Sequence, residues 1–404
     1  MQVIFEQLPV IMEKKMKKIC VITGTRAEYG LLKPLIQKID RDDDLELQLV
    51  VTGMHLSPEF GLTYQEIEQD GFGITDRNEM LLSSDTPCGI TKSIGLGTIG
   101  FADIFTRNTP DIVVILGDRY ESLAAATAAM VHRIPIAHIH GGELTEGAID
   151  EAIRHAITKM SMLHFTSTEA YRNRVIQLGE QPDRVFCVGA LGVENIRTQK
   201  LMNREELEQS LCFQLDQPYI MVTFHPVTLE NNTVQEQFEN LLFALDQIGA
   251  YRILFTKANS DTDGRVINQK IDAYVSQNRE RAAAFTSLGM VRYLSALQYC
   301  EMVVGNSSSG IMEAPSFHIP TVNIGDRQKG RMRGKSVIDC GCTPGEIEDA
   351  IRKAQSMREN NELQQEANPY EGDNTSETIL RVIREYLASG GDLKKRFYDI
   401  DVQC

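Results

Sequence analysis

The sequence predicts an α/β protein of two doubly wound domains with a cleft between them. A chain of 404 residues is more than one ordinary hydrophobic core organises, so two domains of roughly 200 residues each are the natural division. Short β-branched runs alternate with helical patterns, which indicates parallel sheets wrapped by helices. That alternation breaks off once near the middle and then starts again.

Residues 1–16 read as an extension ahead of the first strand, with Met16 an alternative start. Their lysines follow the apolar stretch and Glu6 interrupts it, the wrong order for a secretion signal. The first domain, 17–195, contains the runs KICVITGT, LELQLVVTG, DIVVILGD, IPIAHIHGG, MLHFTS and RVFCVGA. A charged helix-like stretch, REELEQSLCFQLDQP, then forms the joint within 195–217. The second domain, 210–385, repeats the grammar with YIMVTFHP, YRILFTKAN, AAAFTSL, MVVGNSSSG and TVNIGD. Towards its end the Asn-Pro-Tyr-Glu-Gly-Asp loop precedes TSETILRVIREYLAS, an amphipathic helix, and 386–404 are a tail.

Composition narrows the function. The net charge of -15 repels polyanions, and no Lys/Arg run with interleaved aromatics marks a nucleic-acid groove. No segment reaches the roughly 18 uninterrupted apolar residues of a membrane span. Eight scattered cysteines without a CxxC pair read as reduced thiols, so a soluble cytoplasmic protein is expected.

In open α/β sheets ligands gather beyond the carboxyl ends of the strands, and every motif of interest lies there. Thr23-Gly24-Thr25-Arg26-Ala27-Glu28-Tyr29-Gly30 follows the first strand. Gly24 permits a tight turn and Arg26 offers a fork of donors suited to a diphosphate, although an arginine also commonly pairs with a carboxylate. The run Gly305-Asn306-Ser307-Ser308-Ser309-Gly310 places free N–H groups and hydroxyls at a helix start, a phosphate cradle or simply a cap. Glu313, one turn on, can accept the two hydroxyls of a ribose. His225 closes another strand, and Arg327, Lys329 and Arg331 concentrate positive charge in an acidic protein, favouring a bound anion.

The acid and base candidates lie in the first domain: Asp118 in LGDRYES, His138 and His140 in AHIHGGE, Glu143, and Asp150 with Glu151. Several carboxylates and imidazoles at neighbouring strand ends can supply a general base and a general acid. Strand alternation puts His138 and His140 on one face, which also suggests zinc, yet no HExxH, CxxC or suitably spaced carboxylate completes such a site. A hydrogen-bonded histidine cluster without metal is the expectation, and no GxGxxG or Walker loop argues for a cofactor. His155 and His164 are read as core residues.

Taken together, TGTRAEYG, VTGMHLSPEFG, LGDRYES, HIHGGE, DEAIRHAITKM, FHPVT, GNSSSGIMEAPS and IGDRQKGR resemble the hydrolysing UDP-N-acetylglucosamine 2-epimerases of bacterial sialic-acid and legionaminic-acid pathways. The resemblance runs from about residue 17 to the C-terminal FYDI. It implies a GT-B-like fold of two Rossmann-like domains, a UDP-sugar in the interdomain cleft and a homo-oligomer, dimer or tetramer. It also implies that Arg26, Gly30, Arg119, His225, Asn259, Ser307, Ser308, Glu313 and Arg327 bind the substrate. Anti elimination of UDP to a 2-acetamidoglucal, then hydration, would convert UDP-GlcNAc to ManNAc. The alternative sugar is UDP-N,N'-diacetylbacillosamine, giving 2,4-diacetamido-2,4,6-trideoxymannose; a glycosyltransferase of GT-B architecture is the alternative enzyme class. Asp118 and Asp150 match family carboxylates, whereas the third carboxylate of the usual HIEGGE is replaced by His140, leaving His140 or Glu143 to take its role. The hydrolysing branch is favoured over the HxEAGLRT-bearing non-hydrolysing one.

Overall fold

A computed structural model describes residues 16–82, 84, 86–146, 148–227, 233–249, 251–258 and 264–400. Two all-parallel sheets form its centre. The first holds β1 (Lys17–Thr23), β2 (Leu45–Thr52), β3 (Asp76–Asn78), β4 (Ile112–Leu116), β5 (Ile136–Ile139), β6 (Leu163–Thr166) and β7 (Val185–Cys187) in the order β3-β2-β1-β4-β5-β6-β7. The second holds β8 (Tyr219–Thr223), β9 (Arg252–Thr256), β10 (Ala282–Phe285), β11 (Met302–Gly305), β12 (Thr321–Ile324) and β13 (Val337–Cys340) in the order β10-β9-β8-β11-β12-β13. Strand order reverses at the β1/β4 and β8/β11 neighbours, where the connecting helices part to opposite faces and leave a crevice.

The strands read as continuous apolar runs because both faces are covered. Along β1, Ile19 and Val21 enter one core with the helix Arg26–Asp40, while Cys20 and Ile22 enter the other with the helices Pro87–Asn108 and Tyr120–Val131. The second sheet divides in the same way, with Ile220 and Val222 on one side and Tyr219 and Met221 on the other. The charged joint helix Arg204–Leu211 buries Leu207 and Leu211 in this second domain and opens with a capping box between Asn203 and Glu206.

Two edge strands, β3 and β13, were not among the expected runs. β3 is three residues, Asp-Arg-Asn, with no apolar signal. A larger difference concerns the expected second-domain range 210–385. The helix Thr375–Ala388, which begins inside that range, sends Ile379, Leu380, Ile383 and Leu387 into the first domain's core. Amphipathic periodicity identifies a buried face without naming the surface that buries it.

Beyond this helix the tail remains attached to the first domain. Lys395 Nζ donates to the carbonyls of Thr158 (3.3 Å), Lys159 (2.9 Å) and Ser161 (2.7 Å), and it pairs with the buried Glu180 at 2.6 Å. These carbonyls end the helix Asp150–Met160, where a cation also complements the helix dipole. Lys395→Ala is expected to lower stability by roughly 1.5–3 kcal/mol, the usual worth of bonds to a charged group, and a thermal melt checks it.

Among the described residues no helix is long and apolar enough to cross a membrane, and the described cysteines, at positions 20, 88, 187, 212, 300, 340 and 342, are all free.

Candidate active site

A cavity of about 290 Å³ lies between the two domains. Arg26, Gly30, Gly192 and Asn195 line it from the first domain, and His225, Ser307, Ser308, Glu313 and Arg327 from the second. Its floor follows from the β8/β11 switch point. Asn306, nearly fully buried, accepts from the backbone N–H of His225 at 2.7 Å and donates to the His225 carbonyl at 2.8 Å. The Asn306 carbonyl accepts from Gln328 Nε2 at 2.8 Å and Arg327 Nη1 at 3.1 Å. The ends of β8, β11 and β12 are thereby locked together.

Ser307 and Ser308 are half-exposed at this floor. The helix that follows, Ser309–Met312, is one turn long before the chain tightens at Ala314–Phe317. A helix dipole therefore adds little, and what this stretch can offer an anion is hydroxyls and local N–H groups rather than the helix start expected from the sequence. Glu313 is buried, and burial pushes its carboxyl up to about 7. It lies so close to Gly192 that a Cβ there would meet Glu313 Oε1 at 2.1 Å. Any larger residue at 192 would displace the Glu313 carboxyl.

Arg26 pairs with Glu66 and donates from Nη1 to the Ser287 carbonyl at 3.0 Å. It lines the cavity and carries a carboxylate partner at once. Arg119 differs: it makes two 3.2 Å bonds to the buried Glu121 and is not part of the cavity lining. Asn259 lies outside the described residues.

The ionisable residues cluster around two buried arginines. Arg154, on the helix Asp150–Met160, pairs with Asp118 beyond β4. It also donates to the Glu143 carbonyl (2.7 Å), Glu151 Oε2 (2.6 Å) and Thr145 Oγ1 (2.7 Å). A guanidinium has five N–H donors in a rigid fork, and this one ties a strand end, a loop and a helix together. Burial raises Asp118, but Arg154, then Arg331 and Arg327, outweigh it and hold the carboxyl below the usual range. Asp150 is half-buried at the head of the same helix, one turn before Arg154.

His138 and His140 do not share a face. β5 ends at Ile139, and His140 adopts φ 65, turning the chain off the strand. His138 stays within the sheet layer, with Nε2 bonded to the Gly117 carbonyl at 2.8 Å and Nδ1 to Thr158 Oγ1 at 3.2 Å. Burial pushes it down to about 3, so it is a neutral structural residue. His140 Nδ1 lies 3.8 Å from Glu143 Oε1, and among the described residues Nε2 has no hydrogen-bond partner. Burial lowers its basicity. Glu143 is fully engaged: Oε2 takes Arg331 Nη2 at 2.8 Å and Oε1 takes Ser167 Oγ at 2.9 Å. His155 is half-buried with Nε2 on Glu151 Oε1 at 3.1 Å, and His164 is buried on Glu180 at 2.9 Å.

Two domains, a cavity between them lined by Arg26, Ser307, Ser308, Glu313 and Arg327, and a charged cluster around Asp118 within electrostatic reach of Arg327 fit the resemblance carried by the motifs. Residues 37–384 match the sequence profile of the UDP-N-acetylglucosamine 2-epimerases. The chain belongs to that family. A GDP/UDP-N,N'-diacetylbacillosamine 2-epimerase (hydrolyzing) from Campylobacter jejuni is 45% identical over 340 residues, 84% of this chain and 88% of its own. The polysialic acid biosynthesis protein P7 of Escherichia coli is 41% identical over 386 residues, 95% of this chain and 98% of its own. Among solved structures, a UDP-GlcNAc 2-epimerase from Neisseria meningitidis bound to UDP-GlcNAc has a TM-score of 0.75 at 17% identity, covering 91% of this chain and 100% of that one. At that identity the likeness establishes the fold, two Rossmann-like domains in the GT-B arrangement.

For this epimerase the motifs left several residues unread. Arg154 sits in plain view within DEAIRHAITKM, four residues after Asp150 and so on the same helix face, which is the signal that finds it. Gly192 and Asn306 act through packing and backbone bonds that only three dimensions reveal.

Proposed function

We propose that this epimerase is of the hydrolysing type: it takes a UDP-linked 2-acetamido sugar and water to free UDP and the sugar inverted at carbon 2. The carrying observation is the division of labour across the cleft. Arg327 lines the nucleotide-type cavity and is also close enough to depress Asp118 of the opposite domain. A UDP seated on Ser307, Ser308 and Glu313 would therefore present its sugar to Asp118, His140 and Asp150.

The chemistry is an anti elimination followed by hydration. A base takes the carbon-2 proton, the electron pair forms the C1=C2 bond, and the C1–O bond breaks with release of UDP. Water then adds its oxygen to C1, and a proton returns to C2 from the opposite face. Asp118, held as a carboxylate by Arg154, suits the base role. Between the two candidates for the missing third carboxylate, we favour His140. Its Nε2 is buried without a hydrogen-bond partner among the described residues, whereas Arg331 and Ser167 occupy both oxygens of Glu143.

The Campylobacter relative's name supports UDP-N,N'-diacetylbacillosamine as substrate. The family's description, UDP-N-acetylglucosamine 2-epimerase, supports UDP-GlcNAc, giving ManNAc. The sugars differ at carbons 4 and 6. Purified enzyme assayed for UDP release with each sugar, and no acceptor, separates them: the true substrate turns over and the other does so at least about tenfold more slowly, the scale of one lost pocket contact. Release that requires an added acceptor would establish the glycosyltransferase reading instead. We also propose that the enzyme works in the cytoplasm as a dimer or tetramer, which sedimentation checks for the assembly.

A further inference from the structure

We propose that Arg327–Met332 is a strap between the domains, and that Arg331 is a positioning residue through which an occupied nucleotide site orders the acid–base loop. This inference rests on the functional reading above. The strap follows β12, and its first residues are fastened to the phosphate side: Arg327 Nη1 and Gln328 Nε2 both donate to the Asn306 carbonyl. Its last residues are fastened to the other domain. Arg331 Nη2 pairs with Glu143 Oε2 at 2.8 Å, and Arg331 Nε donates to the Leu144 carbonyl at 3.1 Å. The Met332 N–H donates to Tyr171 Oη at 2.8 Å, while Tyr370 Oη donates to the Met332 carbonyl at 2.7 Å.

Between these anchors Gly330 has φ 82, and a Cβ would fall 2.7 Å from Leu144 Cδ1 and 2.8 Å from Glu146 Oε1. The strap thus passes in contact with the loop that carries His140 and Glu143. A buried charge is retained at high cost unless its partner is in place, and Arg331 is only 8% exposed with its partner on the opposite domain. The two domains must therefore meet for the arginine to be satisfied. His140 gains from this, because a non-glycine residue at φ 65 needs its surroundings to hold it there. Arg331 touches Glu143 and Leu144 within that loop and so acts on His140 indirectly.

The test uses the full chain and three variants, Arg331→Gln, Arg331→Lys and Gly330→Ala. In the wild type, UDP should slow amide exchange in residues 140–146, which lie on the domain opposite the phosphate cradle. In Arg331→Gln the same UDP, bound within about threefold of wild-type affinity, should leave that exchange unslowed, and kcat should fall by about 30-fold or more, the scale of a lost buried charge contact. Arg331→Lys should restore part of kcat, and Gly330→Ala should move both readouts in the direction of Arg331→Gln with the charge intact. A merely structural arginine would give loss of UDP binding in proportion to activity, with no lysine rescue. That pattern would overturn the strap, as would exchange in 140–146 that ignores UDP in the wild type. If Arg331→Gln does not fold, Gly330→Ala carries the exchange and kcat readouts. Wild-type enzyme inactive on both sugars would sink the functional reading alone, since the exchange experiment needs only UDP.

Discussion

Asp118→Asn is expected to lower turnover by roughly 10²- to 10⁴-fold, the usual worth of a positioned acid or base, while UDP affinity changes less than about threefold. Asparagine keeps the shape and one acceptor for Arg154 but removes the charge that would receive the proton. The proposed nucleotide contacts Ser307, Ser308 and Glu313 sit on the other domain and are untouched. Stability changes too, because Arg154 is fully buried and loses its charged partner. Asp118→Ala, which vacates the place altogether, should cost roughly 3–5 kcal/mol, so the asparagine variant is the better probe of chemistry. The pair also makes a pH signature. With Asp118 held below its ordinary 3.8, its stabilisation is present above that value and is lost as pH falls through the lowered one, and Asp118→Asn should remove this part of the acid denaturation. Steady-state kinetics beside calorimetric UDP titration reads the first claim. Loss of UDP binding in step with activity would contradict it.

Glu313→Ala is expected to do the reverse, weakening UDP binding by about 100-fold. Two ribose hydroxyls on one carboxylate amount to charge-assisted bonds of roughly 1.5–3 kcal/mol each, part of which water returns in the variant. Burial holds Glu313 at about 7 in the free protein, so the ionised form that accepts both hydroxyls is depleted below neutrality. UDP affinity should fall as pH drops through about 7 in the wild type and become flat in Glu313→Gln. The stability effect has the opposite sense. A raised carboxyl contributes stability fully below its ordinary 4.5 and loses it as pH rises through about 7, and Glu313→Gln should abolish that slope. Unchanged UDP affinity in Glu313→Ala would remove the ribose role.

Much of this was readable from the chain because parallel sheets buried on both faces write themselves as apolar runs, and because α/β folds gather ligands at strand ends. Position alone, after β8 and β11, singles out Ser307, Ser308, Glu313 and His225, and all four line the interdomain cavity. The failures have physical causes. The three-residue β3 is too polar and too short to announce itself. The helix Thr375–Ala388 shows a buried face, yet nothing local states that it returns to the first domain. Alternation placed His138 and His140 together, and a single left-handed residue at 140 undid it. Arg331 looked like a phosphate ligand among neighbouring cations, and only its 2.8 Å contact with Glu143 shows that it serves the other wall of the cleft. Arg119, expected at the substrate, is taken by Glu121.

The account depends on a proton leaving carbon 2 and another arriving from solvent on the opposite face. Turnover of the preferred UDP-sugar in deuterium oxide, with no acceptor present and the product read by mass and by proton resonance, tests this most directly. The expected result is one deuterium at carbon 2 in every product molecule, with the C2-inverted configuration and an equal amount of UDP. A product without deuterium at carbon 2, or with the starting configuration, would contradict it.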